Sequence, residues 1–250
     1  MTKKSFNQNA KHIQQLEDMI EPNFIFGNKS LNRLMTIDKT IDNKTIDNKS
    51  EISNKNQTKL EQIFKLKQKI NSIENCNLKN NSKNIIIGDG NINSSIMLIG
   101  ETPGKLEDQS GKSFQGAVGE LLKKMLSAIN IKKEEIYLTY SINFRPPDDR
   151  KPTSQEIKRY SIFLKEHITI INPKIIILMG STAMEAITGL SNKISNERGN
   201  WREIILKNMT YPIMITFSPS YLIRFPENKK YSWEDLKKIR KKIQNLNINI

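Results

Sequence analysis

A glycine-rich loop containing a Gly-Lys-Ser triplet follows an apolar run near the middle of the chain. The stretch reads IMLIGETPGKLEDQSGKSFQG from Ile96 to Gly116. A phosphate-binding P-loop needs a glycine followed by four residues and then Gly-Lys-Ser, but Leu106 occupies the position of that first glycine. The nearest glycine, Gly104, comes two residues too early. The spacing therefore argues against a P-loop and against a nucleotide triphosphatase.

The chain carries a large excess of positive charge. Its 40 Lys and Arg residues against 26 Asp and Glu residues give a formal net charge of +14. Such an excess suits a lysine-rich solvated surface and suits an acidic partner equally well, with nucleic acid as the first candidate. The single cysteine, Cys76, excludes an intrachain disulfide framework and a metal cluster built from several cysteines of one chain.

The first 58 residues differ from the rest of the sequence. Residues 8–20 predict a short helix, and residues 36–56 form a polar near-repeat of Thr-Ile-Asp-Asn-Lys units that is typical of a flexible linker. We therefore expect an N-terminal extension and low-complexity linker over residues 1–58, and a folded domain over residues 59–250. The sequence shows no signal-peptide core and no apolar run of ~18 residues, so a cytoplasmic protein that does not enter a membrane is expected.

Short apolar runs alternate with amphipathic segments from residue 84 onward. Short, fully apolar strands that alternate with helices indicate a parallel sheet covered on both faces. We expect an α/β fold, namely a three-layer α/β/α sandwich around a central, mainly parallel four-stranded sheet. The strand-like runs are 84–88, 95–100, 135–141, 174–180 and 211–217, and the helical patterns are 59–70, 116–129, 154–170, 181–188 and 232–247.

Sites in open parallel sheets form outside the carboxyl ends of the strands. A functional site is therefore expected where the loops after the strands meet. These loops are Gly100–Gly104, Tyr140–Arg150, Gly180–Ala183 and Phe217–Arg224.

The glycine-rich loop and the later loops together resemble the family 4 uracil-DNA glycosylases. GETPG, the following Glu-Asp pair and SFQG resemble the family's first motif. FRPPDDRKPTSQE (144–156), NPKIIILMGSTA (172–183) and TFSPSYLIRFP (216–226) resemble later motifs in the same order. The resemblance covers about residues 73–243 and implies excision of uracil from DNA after the nucleotide is flipped out.

The resemblance also assigns roles to the first motif. It implies that Phe114 stacks on the flipped base and that the floor from Gly100 to Gly104 holds a uracil carbonyl through backbone N–H groups. Thr102 lies where related glycosylases position the attacking water, and Glu101 is expected to hydrogen-bond within the pocket.

Two positions depart from the family pattern. Ser218 corresponds to the histidine that donates a hydrogen bond to uracil O2, and Tyr140 corresponds to the asparagine that reads the uracil edge. Serine reaches less far and carries no positive charge, while tyrosine cannot pair with the base as an amide does. Losing one transition-state donor typically costs ~10²–10³ in rate.

The family's iron–sulfur cluster is a third departure. Such a cluster is held by four thiolates. The corresponding positions here are Ile73, Cys76, Phe144 and Tyr160, so one thiolate remains. We expect no cofactor and no metal site.

The DNA-contacting loops are retained in the sequence. Arg145, Arg150 and Arg224 are expected to border the mouth of the site and to contact phosphates. In SPSYLIR, Leu222 or Ile223 is expected to wedge into the base stack.

Two hypotheses from different classes follow from these residues. The first is a monomeric, monofunctional DNA-repair glycosylase acting on uracil or a related deaminated base. The alternative is a catalytically inactive DNA-binding protein that keeps the glycosylase fold. Tyr140 and Ser218 are the residues on which the choice depends.

Overall fold

A computed structural model describes residues 43–248 of the chain and the side chains of residues 57–248. The predicted helix at 8–20 lies outside the described residues, as does the first part of the predicted linker. The first helix, α1, spans Asn43–Asn71. It includes the predicted segment 59–70 and runs without a break through residue 58, and the domain boundary placed there stays a prediction.

Helices surround the central sheet on both sides. The amphipathic segments predicted at 116–129, 154–170, 181–188 and 232–247 are all helical, with ends within three residues of the expected ones. None of the helices among the described residues combines the length and apolar character needed to cross a membrane. After α1, the helices are α2 (Asn77–Asn80), α3 (Lys105–Ser110), α4 (Gly116–Ser127), α5 (Ser154–Ile171), α6 (Ser181–Thr188), α7 (Ile194–Glu197), α8 (Pro219–Arg224) and α9 (Lys229–Asn245).

The sheet has six strands in the order β1-β3-β2-β4-β6-β5. The inner four, β3, β2, β4 and β6, pair in parallel and coincide with four of the five strand-like runs of the sequence. Two antiparallel edge strands, β1 and β5, extend the sheet beyond that prediction. The strands are β1 (Asp89–Gly90), β2 (Ile96–Gly100), β3 (Tyr137–Tyr140), β4 (Ile175–Met179), β5 (Trp201–Leu206) and β6 (Met209–Thr216).

Alternate residues of the inner strands face two separate cores. In β2, Met97 and Ile99 pack with α1, α5 and α6, whereas Ile96 and Leu98 pack with α4 and α9. Because every residue of β2 is buried, its sequence shows a continuous apolar run rather than an alternating one. The result is the predicted three-layer α/β/α sandwich.

Two segments at the edges of the sheet differ from the sequence-based prediction, namely residues 84–88 and β5. The apolar run 84–88 is not a strand, although Ile86 is buried and its N–H donates to the carbonyl oxygen of Asn143 at 2.8 Å. The strand β5 was not predicted because most of its side chains lie at least partly in solvent and give no apolar run. It forms a hairpin with β6 across Lys207 and Asn208, both with positive φ as two-residue hairpin turns require.

Candidate active site

A cleft of about 720 Å³ lies at the carboxyl ends of the inner strands. The loops after β2, β3, β4 and β6 all contribute to its walls, as expected for an open parallel sheet. Of the site residues predicted from the sequence, all except Arg145 and Leu222 line this cleft. Those that do are Gly100, Glu101, Thr102, Gly104, Phe114, Tyr140, Arg150, Ser218 and Arg224.

Phe114 and Tyr140 form a closed aromatic pair at the base of the cleft. Their ring centroids are 4.7 Å apart with an interplanar angle of 22°. The N–H of Phe114 donates to the hydroxyl oxygen of Tyr140 at 2.9 Å. Phe114 is 3% exposed and Tyr140 is 4% exposed, so neither ring offers a free face to a base in this structure.

The floor of the cleft fits closely under these two rings. A Cβ atom on Gly100 would lie 2.8 Å from the Phe114 ring and 2.9 Å from the Tyr140 ring. Only glycine fits at the end of β2 without moving the pair. Phe114 itself has a φ of +51°, an uncommon value for a residue with a side chain. Its carbonyl oxygen accepts a hydrogen bond from Lys133 Nζ at 3.1 Å, which helps to hold this conformation.

Glu107 is a buried carboxylate that joins the floor to the aromatic pair. Its Oε2 accepts the N–H of Gly104 at 3.0 Å, and its Oε1 accepts the N–H of Gln115 at 2.9 Å. The hydroxyl of Tyr140 lies 3.5 Å from the same Oε1. Burial first, and then the negative charge of Glu107, raise the pKa of Tyr140 well above its usual value, so this phenol stays neutral.

Glu101 connects the floor to helix α6. Its Oε1 accepts the N–H of Thr182 at 3.1 Å and the hydroxyl of Ser181 at 3.3 Å. A carboxylate in this position satisfies the free N–H groups of a helix start and complements its dipole. A Cβ atom on Gly180, which has a φ of +104°, would lie 2.2 Å from the Glu101 carboxyl carbon. Glu101 therefore ties the floor to the start of α6.

Two hydroxyl groups remain at the sides of the cleft. Thr102 is half-buried and its hydroxyl has no hydrogen-bond partner among residues 57–248. The Ser218 hydroxyl oxygen accepts the N–H of Tyr221 at a long 3.4 Å and lies 3.1 Å from Ser220 Oγ. Ser218 thus caps helix α8, and its proton is available to Ser220 or to a ligand.

The three predicted DNA-contacting arginines differ in their partners. Arg145 donates to both carboxylate oxygens of Asp149, at 2.7 and 2.8 Å, and Arg150 does the same to Glu156. These arginine partners lower the pKa of both carboxyl groups through charged hydrogen bonds. Arg224 is exposed and has no ion pair with any residue that the structure describes.

The two candidate wedge residues, Leu222 and Ile223, differ in burial. Leu222 is 1% exposed and packs in the core beside α4 and α9, and its assignment to DNA contact stays a prediction. Ile223 is 43% exposed and lines the cleft. Along a helix, adjacent residues point about 100° apart, which explains why only one of the two is free.

The positions that correspond to cluster cysteines do not fit a four-thiolate cluster. Cys76 Sγ lies 3.2 Å from the Tyr160 hydroxyl oxygen, and the rings of Phe144 and Tyr160 pack edge to face with centroids 6.3 Å apart. Ile73 packs against the same core. Only one side chain of the four carries sulfur, and no group of three or more His, Cys, Asp or Glu side chains in the described part of the chain is placed to hold a metal ion.

Sequence reasoning missed two features of the site. The first is Glu107, part of the Glu-Asp pair of the first motif: a glutamate three residues after a loop glycine at a helix start indicates a capping role. Three aromatic rings of the last loop, those of Phe217, Tyr221 and Phe225, form a column in which the first pair is stacked and the second is tilted. Their spacing of four residues was the available signal, since such residues are neighbours along a helix.

Comparison with known proteins identifies the family. The sequence profile described as the uracil DNA glycosylase superfamily matches residues 87–239. The chain belongs to this superfamily. The matched residues contain every loop that lines the cleft.

Curated relatives of the superfamily match most of the chain. It is 35% identical over 168 residues to the Type-4 uracil-DNA glycosylase of Thermotoga maritima, covering 66% of this chain and 86% of that protein. It is 31% identical over 186 residues to the enzyme of the same name from Sulfurisphaera tokodaii, covering 72% and 84%. The corresponding protein of Archaeoglobus fulgidus is 29% identical over 184 residues, covering 72% and 92%.

Proposed function

We propose that this chain is a monofunctional DNA glycosylase that flips uracil, or a related deaminated base, out of DNA and hydrolyses its N-glycosidic bond. The observation that carries the proposal is the meeting of the Gly100–Gly104 floor and the Phe114 aromatic wall in one cleft at the carboxyl edge of the sheet. Superfamily membership and relatives named as Type-4 uracil-DNA glycosylases support it.

Two residues of the cleft, Thr102 and Ser218, have different roles in the proposed hydrolysis. Water adds its oxygen to C1′ of the sugar, the bond from C1′ to the base breaks, and the base leaves with the bonding electrons and is then protonated. Thr102 has a free hydroxyl to orient that water. Ser218 lies on the opposite loop, where its proton can be donated to a base carbonyl as negative charge grows.

Base entry requires movement of Tyr140. A flipped base gains binding energy by stacking on an aromatic face, and the Phe114 ring is covered by Tyr140. Tyr140 is anchored by one good hydrogen bond and one long contact, so its displacement costs interactions that the incoming base must replace. We therefore expect slower excision than in a pocket with an open stacking face.

DNA is the macromolecular partner in this proposal. Arg224 supplies a positive charge that has no acidic partner in the described part of the chain, and Ile223 supplies an exposed apolar side chain beside it. Phosphate contacts position a protein on DNA, and apolar wedges separate neighbouring bases. The proposed enzyme acts as a monomer in the cytoplasm.

No cofactor takes part in the proposed reaction. The residues around Cys76 lack the ligands for an iron–sulfur cluster, so the fold in this region is held by packed aromatic side chains. Iron analysis of protein purified without oxygen tests this statement, and stoichiometric iron would contradict it.

The function is tested with single-stranded and double-stranded oligonucleotides that contain one uracil. We expect abasic sites that become strand breaks only after alkali treatment, and no product from the matching thymine oligonucleotide. Thr102→Val should slow excision, whereas Thr210→Val on the exposed end of β6 should not. No abasic product at stoichiometric protein with DNA binding retained would establish the inactive DNA-binding alternative, and loss of both would reject both functions.

A further inference from the structure

The last loop carries a column of three aromatic rings that leads out of the cleft. Phe217 and Tyr221 line the cleft and stack with centroids 4.8 Å apart and an interplanar angle of 24°. Tyr221 and Phe225 follow with centroids 4.9 Å apart and an angle of 40°. The column thus begins inside the site proposed for the flipped base and ends at the surface.

The two ends of the column differ. At the inner end, the guanidinium carbon of Arg198 lies 5.7 Å from the centroid of the Phe217 ring, and Phe217 is buried. At the outer end, Phe225 is 44% exposed. The column therefore has one buried end and one end that is exposed to solvent.

The backbone holds Phe225 in place without its side chain being buried. Its N–H donates to the carbonyl oxygen of Tyr221 at 2.9 Å, and its carbonyl oxygen accepts the N–H of Asn228 at 3.1 Å. Asn228 Nδ2 also donates to the Tyr221 hydroxyl at 3.3 Å, which fixes the middle ring. An exposed aromatic side chain on a fixed backbone loses little conformational entropy on binding.

The surroundings of Phe225 are suited to a nucleic acid strand. Phe225 directly follows Ile223 and Arg224, both exposed at the rim of the cleft. Between residues 217 and 233 the sequence has one acidic residue, Glu227, against three basic ones, two of which are the exposed Lys229 and Lys230. Aromatic faces combined with positive charge are the usual means of holding single-stranded DNA.

We propose that Phe225 stacks an unpaired base next to the flipped nucleotide, extending the aromatic column by one ring and favouring single-stranded over duplex DNA. The proposal rests on the proposed function for the identity of the ligand. Bases in a duplex are already stacked on their neighbours, so only an unpaired base offers a free face to Phe225. The Phe225 ring, here called the platform, accepts any base, because every base has a π-face.

Equilibrium binding of fluorescent oligothymidylate tests the platform, with a hairpin duplex of similar length as the comparison ligand. Phe225→Ala and Phe225→Leu should weaken single-strand binding by roughly 5- to 100-fold, the range expected for one base–aromatic stack. Both variants should change duplex binding by less than about twofold, and Phe225→Trp should bind single strands at least as tightly as the wild type. Ile205→Ala, which removes a 73% exposed apolar side chain on the edge strand β5, serves as the matched control.

Three results would overturn the platform. They are single-strand binding unchanged in Phe225→Ala, wild-type binding in Phe225→Leu, and equal losses for single-strand and duplex DNA. Leucine keeps an apolar contact with Tyr221 but offers no aromatic face, so it separates stacking from packing. These ligands contain no uracil, and binding that depends on Phe225 without any excision activity would reject the proposed function while leaving the platform intact.

Discussion

The ring of Tyr140 lies against the ring of Phe114, with centroids 4.7 Å apart, and its hydroxyl accepts the N–H of Phe114. One residue thus covers the stacking face and also occupies a backbone donor beside it. Tyr140 stands where the resemblance to family 4 glycosylases places an asparagine that reads the base. Tyr140, which replaces that asparagine, therefore closes the aromatic wall of the cleft by stacking on Phe114.

Replacing Tyr140 with asparagine should open this wall. We expect Tyr140→Asn to raise the single-turnover rate of uracil excision by about 10- to 100-fold, because it frees the Phe114 face and adds an amide that can bind the base. The variant loses a buried aromatic side chain, so about 3 kcal/mol of stability is lost as well. The rate is measured by alkaline cleavage at a temperature where circular dichroism shows the variant folded.

Tyr140→Phe is the control for this experiment. It keeps the covering ring and removes the hydroxyl, which leaves the N–H of Phe114 buried without its partner. We expect no gain in rate and a loss of about 1–3 kcal/mol in the free energy of unfolding. A gain in Tyr140→Phe equal to that in Tyr140→Asn would show that the ring does not obstruct base entry.

Replacing Glu107 should lower the stability of the fold more than replacing most other polar residues of the site. Glu107→Ala removes the acceptor for the N–H groups of Gly104 and Gln115. Because a buried donor without a partner costs about 1–3 kcal/mol, we expect a loss of roughly 2–4 kcal/mol in urea unfolding. Glu134→Ala, at an exposed glutamate in the turn before β3, should change stability by less than about 0.5 kcal/mol.

The inner sheet could be predicted because its strands are buried on both faces. Ile175–Met179 is apolar throughout, which is typical of a central parallel strand. The edge strand Trp201–Leu206 gives no such signal, since its side chains are half-buried or exposed and none is fully buried. The position of the cleft could be predicted from the topology, because the carboxyl ends of parallel strands meet at one edge of the sheet.

Which side chains of the site are covered or paired depends on contacts that sequence spacing does not specify. That Tyr140 stacks on Phe114 depends on two chain segments 26 residues apart. The pairing of Arg150 with Glu156 depends on the path of the loop before α5. Whether an arginine is free or paired is therefore known only once the loops have been placed.

The two arginines that line the cleft, Arg150 and Arg224, should contribute unequally to DNA binding. Arg224→Gln should weaken binding of single-stranded DNA and lower the slope of log K against log salt by about 0.7, because its charge has no acidic partner among the described residues. Arg150→Gln should have a smaller effect on both quantities, since Glu156 already neutralises that charge. The comparison is made by fluorescence anisotropy across a salt series.

A larger slope change for Arg150→Gln than for Arg224→Gln would contradict this order. The double variant Arg150→Gln with Glu156→Gln provides a charge-neutral comparison. It removes the pair as a unit and should bind DNA nearly as the wild type does.

The stability of the fold should fall in acid through His167. This side chain is fully buried beside Tyr137, with 2.9 Å between the Tyr137 hydroxyl oxygen and Nε2, and burial lowers the pKa of His167 from 6.5 to about 4. The unfolded chain therefore binds a proton between pH 6.5 and 4 that the folded chain does not. Stability is complete above pH 6.5 and decreases as the pH falls towards 4, by about 3 kcal/mol at most.

His167→Gln isolates this contribution from that of the carboxyl groups. Glutamine keeps a hydrogen-bonding group near Tyr137 but does not titrate, while all acidic residues are the same in both proteins. The difference in unfolding free energy between wild type and variant should shift in favour of the variant as the pH is lowered from 7 to 4, measured by urea denaturation. Parallel pH profiles for the two proteins would show that His167 is protonated at the same pH in the folded and unfolded chains, and would reject its burial as the cause of acid sensitivity.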